Sequence, residues 1–234
     1  MTTLYVYALL GSHPRRAAGR GLAGERVRIV AVDGGRVRAA VGAMSAPPTP
    51  TVAALRAHDR VVRRLSALTR AVLPVRFGTV VTDTGDLARR LAARAADLAA
   101  ALDLVAGREQ MTLRVVATAH GGARRSPTPP RRSASGLGPG ARYLAVRAER
   151  ARRARSVPEI AWLRPALRRL VAAERAERHD TAAPLLASVH HLIPRGEAPA
   201  YLGAVARASS VERPVRVVAS GPWPPYAFAP EALS

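Results

Sequence analysis

The chain has no cysteine, no lysine and no asparagine. Without cysteine there is no disulfide, no thiol nucleophile and no thiolate-ligated metal. No apolar run approaches the roughly 20 residues of a membrane-spanning helix, so no membrane span is expected. The opening MTTLYVYALL lacks the basic start of a secretory signal and has the pattern of a strand. A cytoplasmic location is therefore expected. Aromatic residues are scarce: nine in 234 residues. Three of them, Trp223, Tyr226 and Phe228, fall within GPWPPYAF (221–228).

What is present is apolar and basic. Hydrophobic residues make up 48% of the chain, enough for a sizeable core in one large domain or two small ones. The formal net charge is +21, and all 37 basic residues are arginine. A charge of this size points to an anionic partner, such as nucleic acid, an acidic protein or a membrane surface. Enrichment in Ala, Arg, Gly and Pro runs through the whole chain, however, so part of the excess reflects composition rather than a site. The basic surface is expected to hold polyanions weakly at low salt. A basic nucleic-acid-binding module is thus the alternative function to be weighed.

TLYVYALL (3–10) alternates and is rich in β-formers. VRIVAV (27–32) and RVRAAV (36–41) predict two strands joined by Asp33-Gly34-Gly35, residues that tolerate a tight turn. Thr49 is the expected N-cap and Pro50 the first-turn residue of a helix over 51–72. Val52, Leu55, Val62, Leu65, Leu68 and Val72 would form its apolar stripe. PVRFGTVV (74–81) is extended. A second helix is predicted from about Thr84 to a stop at Gly107, with Leu87, Leu91, Ala95, Leu98, Leu102 and Val105 on one face.

MTLRVVATA (111–119) begins a second half with strict alternation. Residues 121–140 are almost entirely Gly, Pro, Ser and Arg, which predicts a mobile basic loop. Helix is expected from about 141 to 178, interrupted near Pro158 and Pro165. A strand (185–193), a short helix (197–208) and a last strand (214–220) follow. The expected architecture is α+β with two small domains: an N-terminal α+β domain, 1–107, and a C-terminal domain, 108–234. The β-α-β-α-β order of the second fits a ferredoxin-like sandwich.

Chemistry-bearing motifs are weak. Gly19, Gly21 and Gly24 match G-x-G-x-x-G, but a strand follows where a dinucleotide site needs a helix. His190 and His191 are adjacent in a strand and point to opposite faces, so they cannot share a metal. His13, His120 and His179 stand apart. His58 falls on the apolar stripe and is expected to be a hydrogen-bonded core histidine. Arg76 is expected to pair with a buried acid such as Asp83 or Asp86, with an interface contact as the alternative. No catalytic constellation, cofactor site or metal site is expected. The strands 111–119, 185–193 and 214–220 carry no aromatic on which a base could stack. That argues against specific nucleic-acid binding.

Four blocks together carry a resemblance: LYVYALL, HDRVVRRLSALTRAVLPVRFGTVV (58–81), GARYLAVRAER (140–150) and VRVVASGPWPPYAF (215–228). In this order they resemble the gas vesicle proteins of the GvpL/GvpF family across essentially the whole chain. The resemblance implies a non-enzymatic minor structural or assembly protein of the gas vesicle. It implies two α+β domains, the C-terminal one ferredoxin-like. The implied partners are the major shell subunit and other minor gas vesicle proteins, with a cytoplasmic stage before assembly. The residues it singles out are His58, Arg76, Phe77, Gly78, Thr79, Tyr143, Gly221, Pro222, Trp223, Pro225 and Tyr226. The basic 121–140 loop, Pro158 and Pro165 depart from the family pattern. In the tail, Pro222, Pro224 and Pro225 fix their own φ angles and remove backbone donors. They are expected to hold the segment extended without a sheet partner. Trp223, Tyr226 and Phe228 then become anchors, expected to pack on the protein's own domains or, alternatively, to form a docking edge.

Overall fold

The computed structural model describes residues 2–32, 35–118, 157–179, 184–210 and 213–230. The basic loop expected at 121–140, the part of the expected 141–178 helix that precedes residue 157, His120 and Tyr143 lie outside them. The fold mixes helix and sheet in two compact units: Met1–Gln110 with Pro222–Ser234, and Met111–Gly221. The C-terminal residues thus group with the first unit rather than with the half that precedes them.

The first unit is built on β1 (Thr3–Leu10), β2 (Arg28–Val32), β3 (Val37–Met44), β4 (Val72–Pro74) and β5 (Val80–Val81). The sheet order is β2-β3-β1-β4, with β5 also pairing to β1. All these pairs are antiparallel. The central strand β1 is buried from Leu4 to Leu10. Its register against β3 shifts between Val6 and Ala8. A bulge of this kind reverses which face successive side chains occupy. Tyr5 and Tyr7 before it, and Ala8 and Leu10 after it, therefore all enter one core with Val61, Leu65 and Val72.

That core is covered by α1 (Val52–Leu68). Its N-cap is Thr51, whose Oγ1 accepts from the Ala54 N–H at 3.2 Å, not Thr49. Pro50 precedes the cap and restricts Thr49 to extended geometry. The helix ends at Leu68 rather than 72, because Val72 is needed in β4. Its buried face is His58, Val61, Val62 and Leu65. Val52 and Leu55, expected on the stripe, are 65% and 45% exposed.

The single helix expected from Thr84 is two: α2 (Thr84–Ala92) and α3 (Ala95–Val105). Asp83 caps the first, accepting from the Asp86 N–H at 2.8 Å. Arg94 is non-helical at the junction (φ −126°, ψ 17°). The break lets α2 pack against β2 and β5 while α3 packs against β4. Leu87, Leu91, Leu98, Leu102 and Val105 are buried as expected. Gly107 stops the segment at φ +70°, its N–H bonded to the Arg70 carbonyl at 2.8 Å.

The second sheet has the order β7-β8-β6-β9. Its strands are β6 (Arg108–Ala117), β7 (Ala173–Arg178), β8 (Leu185–Pro194) and β9 (Val215–Trp223). The three-strand order expected here is corrected by β7. AERAER is composed of helix formers, yet it pairs antiparallel with β8 from Ala173↔Leu192 to Arg178↔Ala187. The ladder overrides local propensity. A 3₁₀ turn (Pro158–Leu163), α4 (Arg164–Leu167) and α5 (Ala198–Ala208) complete the described part of this unit. Met111, Leu113, Val115, Ala187, Val189 and Ile193 meet Ile160, Leu163, Leu167, Tyr201 and Val205 in its core.

Candidate functional site

The His58 to Thr79 block closes on itself through β1. Gly78 sits at φ +88°, a conformation that favours glycine. It allows the Arg76–Thr79 turn, in which Thr79 Oγ1 donates to the Arg76 carbonyl at 2.8 Å. The Thr79 carbonyl then accepts from the Val6 N–H at 3.0 Å. The turn presents the Gly78 N–H to the Tyr5 hydroxyl oxygen at 3.2 Å. Tyr5 in turn donates to His58 Nδ1 at 2.8 Å. His58, Phe77, Tyr5 and Tyr7 form one aromatic cluster, with ring centroids 4.8 to 6.2 Å apart.

His58 is 4% exposed, and its Nε2 is buried with no hydrogen-bond partner among the described residues. Burial pushes its pKa down to about 4, opposed by the Val75 backbone and the Asp59 charge. The imidazole is therefore neutral at ordinary pH, with Nδ1 as acceptor. Burial pushes Tyr5 up to about 12. This is a structural cluster, and it supplies no acid or base of intermediate pKa.

Arg76 is exposed and does not pair with the acids expected for it. Asp83 is the α2 cap, and Asp86 binds Arg90 Nε at 3.0 Å. The reason is distance along the chain: the Gly78 turn separates Arg76 from α2, while Arg90 lies one helical turn from Asp86.

The tail meets the same helix from outside. The strand β9 runs on through Gly221, Pro222 and Trp223, so Pro222 does not end it. Pro224 and Pro225 are buried, and Tyr226–Phe228 forms a 3₁₀ turn. Phe228 is 1% exposed. The Ala227 N–H donates to the buried Gln110 Oε1 at 2.8 Å. The Tyr226 hydroxyl donates to Asp59 Oδ1 at 3.0 Å, and Arg63 Nε donates to Asp59 Oδ2 at 2.6 Å. Withdrawal of the Tyr226 hydroxyl from water, with the Asp59 carboxylate beside it, raises its pKa. The Arg63 guanidinium lies 4.4 Å over the Trp223 ring, a cation–π contact.

Trp223 and Tyr226 still expose 37% and 38% of their surface. Val52, Leu55, Asp59 and Arg63 follow one another at three- and four-residue steps, so they share one face of α1. The exposed Val52 and Leu55 therefore continue the surface that Tyr226 and Trp223 cover. Asp59, Arg63, Tyr5 and Gln110 were not singled out from sequence. The only local signal was the Asp59–Arg63 spacing.

In the second unit His191 is 3% exposed. Its Nε2–H donates to Glu174 Oε2 at 3.1 Å, which leaves Nδ1 to accept from the Tyr201 hydroxyl at 2.7 Å. His190 faces elsewhere, with Nδ1 3.1 Å from Thr112 Oγ1. Replacing Tyr201 by Phe is expected to strand the buried Nδ1 and cost about 1–3 kcal/mol. A shift of the urea midpoint checks this, and an unchanged midpoint would contradict the bond.

Among the described residues no three His, Asp or Glu side chains gather as a metal site. Nor is any helix there long and apolar enough to cross a membrane.

Comparison with known proteins follows the same lines. No curated protein matches the sequence at a significant level. Among solved structures the chain is similar to the gas vesicle protein GvpF from Anabaena sp. PCC7120. That match has a TM-score of 0.73 and 18% identity, over 98% of this chain and 97% of the other. It is also similar to GvpF from Microcystis aeruginosa, with a TM-score of 0.72 and 16% identity, over 97% of this chain and 99% of the other. At such identities the likeness speaks for the fold. The family model described as "Gas vesicle synthesis protein GvpL/GvpF" matches residues 3–230, so the chain belongs to the GvpL/GvpF family.

Proposed function

We propose that this protein is a non-enzymatic minor structural or assembly component of the gas vesicle, acting by binding the major shell subunit. Family membership over residues 3–230 carries the gas vesicle role. The docking reading rests on the exposed apolar face of Val52, Leu55, Trp223 and Tyr226. A soluble partner with such a face could cover an apolar shell subunit until it is added to the shell. Trp223 and Tyr226 are held by Arg63 and Asp59, so little side-chain freedom is lost on binding. Other minor gas vesicle proteins are further partners, and the site of action is the gas vesicle.

Two domains are part of this reading. In chain order the strands of the second unit are β6, β7, β8 and β9, and the observed sheet order β7-β8-β6-β9 supports a ferredoxin-like C-terminal domain.

Leu55→Asp and Trp223→Ala test the docking face. Leu55 is half exposed, so its replacement leaves the core intact. Each variant is expected to bind the major shell subunit about 30-fold more weakly, the size of a lost interface anchor. Folded variants that bind like the parent would remove this face from the account.

A further inference from the structure

We infer that the second unit holds a binding site for a small amphipathic anion, a carboxylate on a hydrocarbon body. This goes beyond the shell-binding reading and does not depend on it. The site is a cavity of about 580 Å³ between the Pro158–Leu163 turn with α4 and the sheet surface at β7 and β8. Its volume lies in the range of small-molecule pockets. Leu163, Leu167 and Val171 give it an apolar wall. Glu174 and His191, directly opposite each other in the β7–β8 register, form its polar side.

The charges select the ligand. Both Glu174 oxygens are engaged: Oε1 accepts from Arg164 at 3.1 Å and Oε2 from His191 at 3.1 Å. Those partners hold the Glu174 carboxyl below its ordinary range, His191 foremost. His191 is itself occupied on its other nitrogen by Tyr201. The cavity therefore offers a cation no free carboxylate. Arg168 also lines it, is exposed, and makes no ion pair among the described residues. A ligand with one negative end would meet Arg168, with Arg164 beside it, and lay its apolar body along Leu163, Leu167 and Val171. A polyanion has no use for that wall, and a neutral hydrocarbon leaves Arg168 unused.

The probe is octanoate, titrated by calorimetry into the full-length protein. Acetate and octyltrimethylammonium serve as controls for charge without tail and tail with opposite charge. Saturable 1:1 binding of octanoate alone is expected, with affinity on the order of 10⁻⁴ M. Arg168→Glu is expected to weaken it at least tenfold. Arg28→Glu, an exposed residue of the other unit, makes the same change in net charge and is expected to leave affinity unchanged. Ala161→Trp fills the cavity from an exposed lining position and is expected to abolish binding without loss of thermal stability. Equal weakening by Arg28→Glu and Arg168→Glu would mean diffuse attraction to a basic surface. That result overturns the site, as would equal binding of the cation, no saturable binding, or full binding to folded Ala161→Trp protein.

Discussion

Lowering the pH from 6.5 to 4 is expected to remove about 3 kcal/mol of folding stability through His58 alone. The unfolded chain takes up a proton on this histidine below about 6.5; the folded protein does so only near 4. Between those values the unfolded state binds more protons, so stability falls as the pH falls. The contribution is fully present above 6.5 and lost by 4. The cause is visible in the cluster. A proton on Nδ1 would face the Tyr5 hydroxyl, which already donates there and accepts from Gly78. The Tyr5 proton would then have to turn away from its acceptor, inside a core that water does not reach.

His190 is also lowered by burial, so its contribution too declines as the pH falls below the ordinary histidine value. Glu174, Glu159 and Asp86, whose pKa values are depressed, lose their contributions at lower pH, below the ordinary carboxyl range. The measurement is therefore the difference between parent and His58→Gln in urea unfolding, taken from pH 7 to pH 4. The advantage of the parent over the variant should shrink by about 3 kcal/mol. Parallel profiles would show that His58 is not buried neutral.

Gly21→Ala is expected to cost about 2–4 kcal/mol, although Gly21 has no unusual φ. A Cβ there would overlap the Glu25 carboxylate and the Tyr7 hydroxyl. Tyr7 donates to Glu25 Oε1 and accepts from the Leu22 N–H at 2.9 Å, while Glu25 Oε2 accepts from the Ala23 N–H at 3.0 Å. Gly42 flanks the same carboxylate from β3, where a Cβ would also collide with it. The two glycines make the slot in which Glu25 lies. Forcing it out leaves the Tyr7 hydroxyl without its acceptor at a fully buried position. Gly24 is the contrast: it has positive φ (+83°) and open space around it. Gly24→Ala should cost only about 1 kcal/mol of backbone strain. If the urea midpoints of the two variants coincide, the slot has no energetic role.

The same stretch shows what was legible in the sequence. GRGLAG was rightly denied a helix, but spacing alone could not show that Gly21 makes room for a carboxylate from three dimensions away. Strands β1, β2, β3, β6 and β8 were visible because alternation is a local signal. The bulge at Tyr7 was not, since it depends on the β3 register. The α2–α3 junction lies in Ala-Arg-rich sequence with no Gly or Pro, so nothing local marks it. AERAER could not declare itself a strand, because its pairing with β8 and the Glu174–His191 bond are long-range. Of the candidate site, His58, Phe77, Gly78 and Thr79 do come together. Trp223 and Tyr226 come to α1 through Asp59 and Arg63. Those partners are surface-type residues whose meeting with the tail only the tertiary fold arranges.

The central claim is that an apolar face, not the charge of +21, defines the partner. The most direct test is a pull-down of the purified full-length protein against the major gas vesicle shell subunit, with salt titrated and RNA as competitor. Apolar docking is insensitive to salt, whereas phosphate contacts weaken steeply as salt rises. The account predicts that the shell subunit stays bound at high salt and that RNA does not displace it. Loss of the shell subunit with RNA retained at moderate salt would contradict the account and make this chain a basic nucleic-acid-binding protein on a gas vesicle family fold.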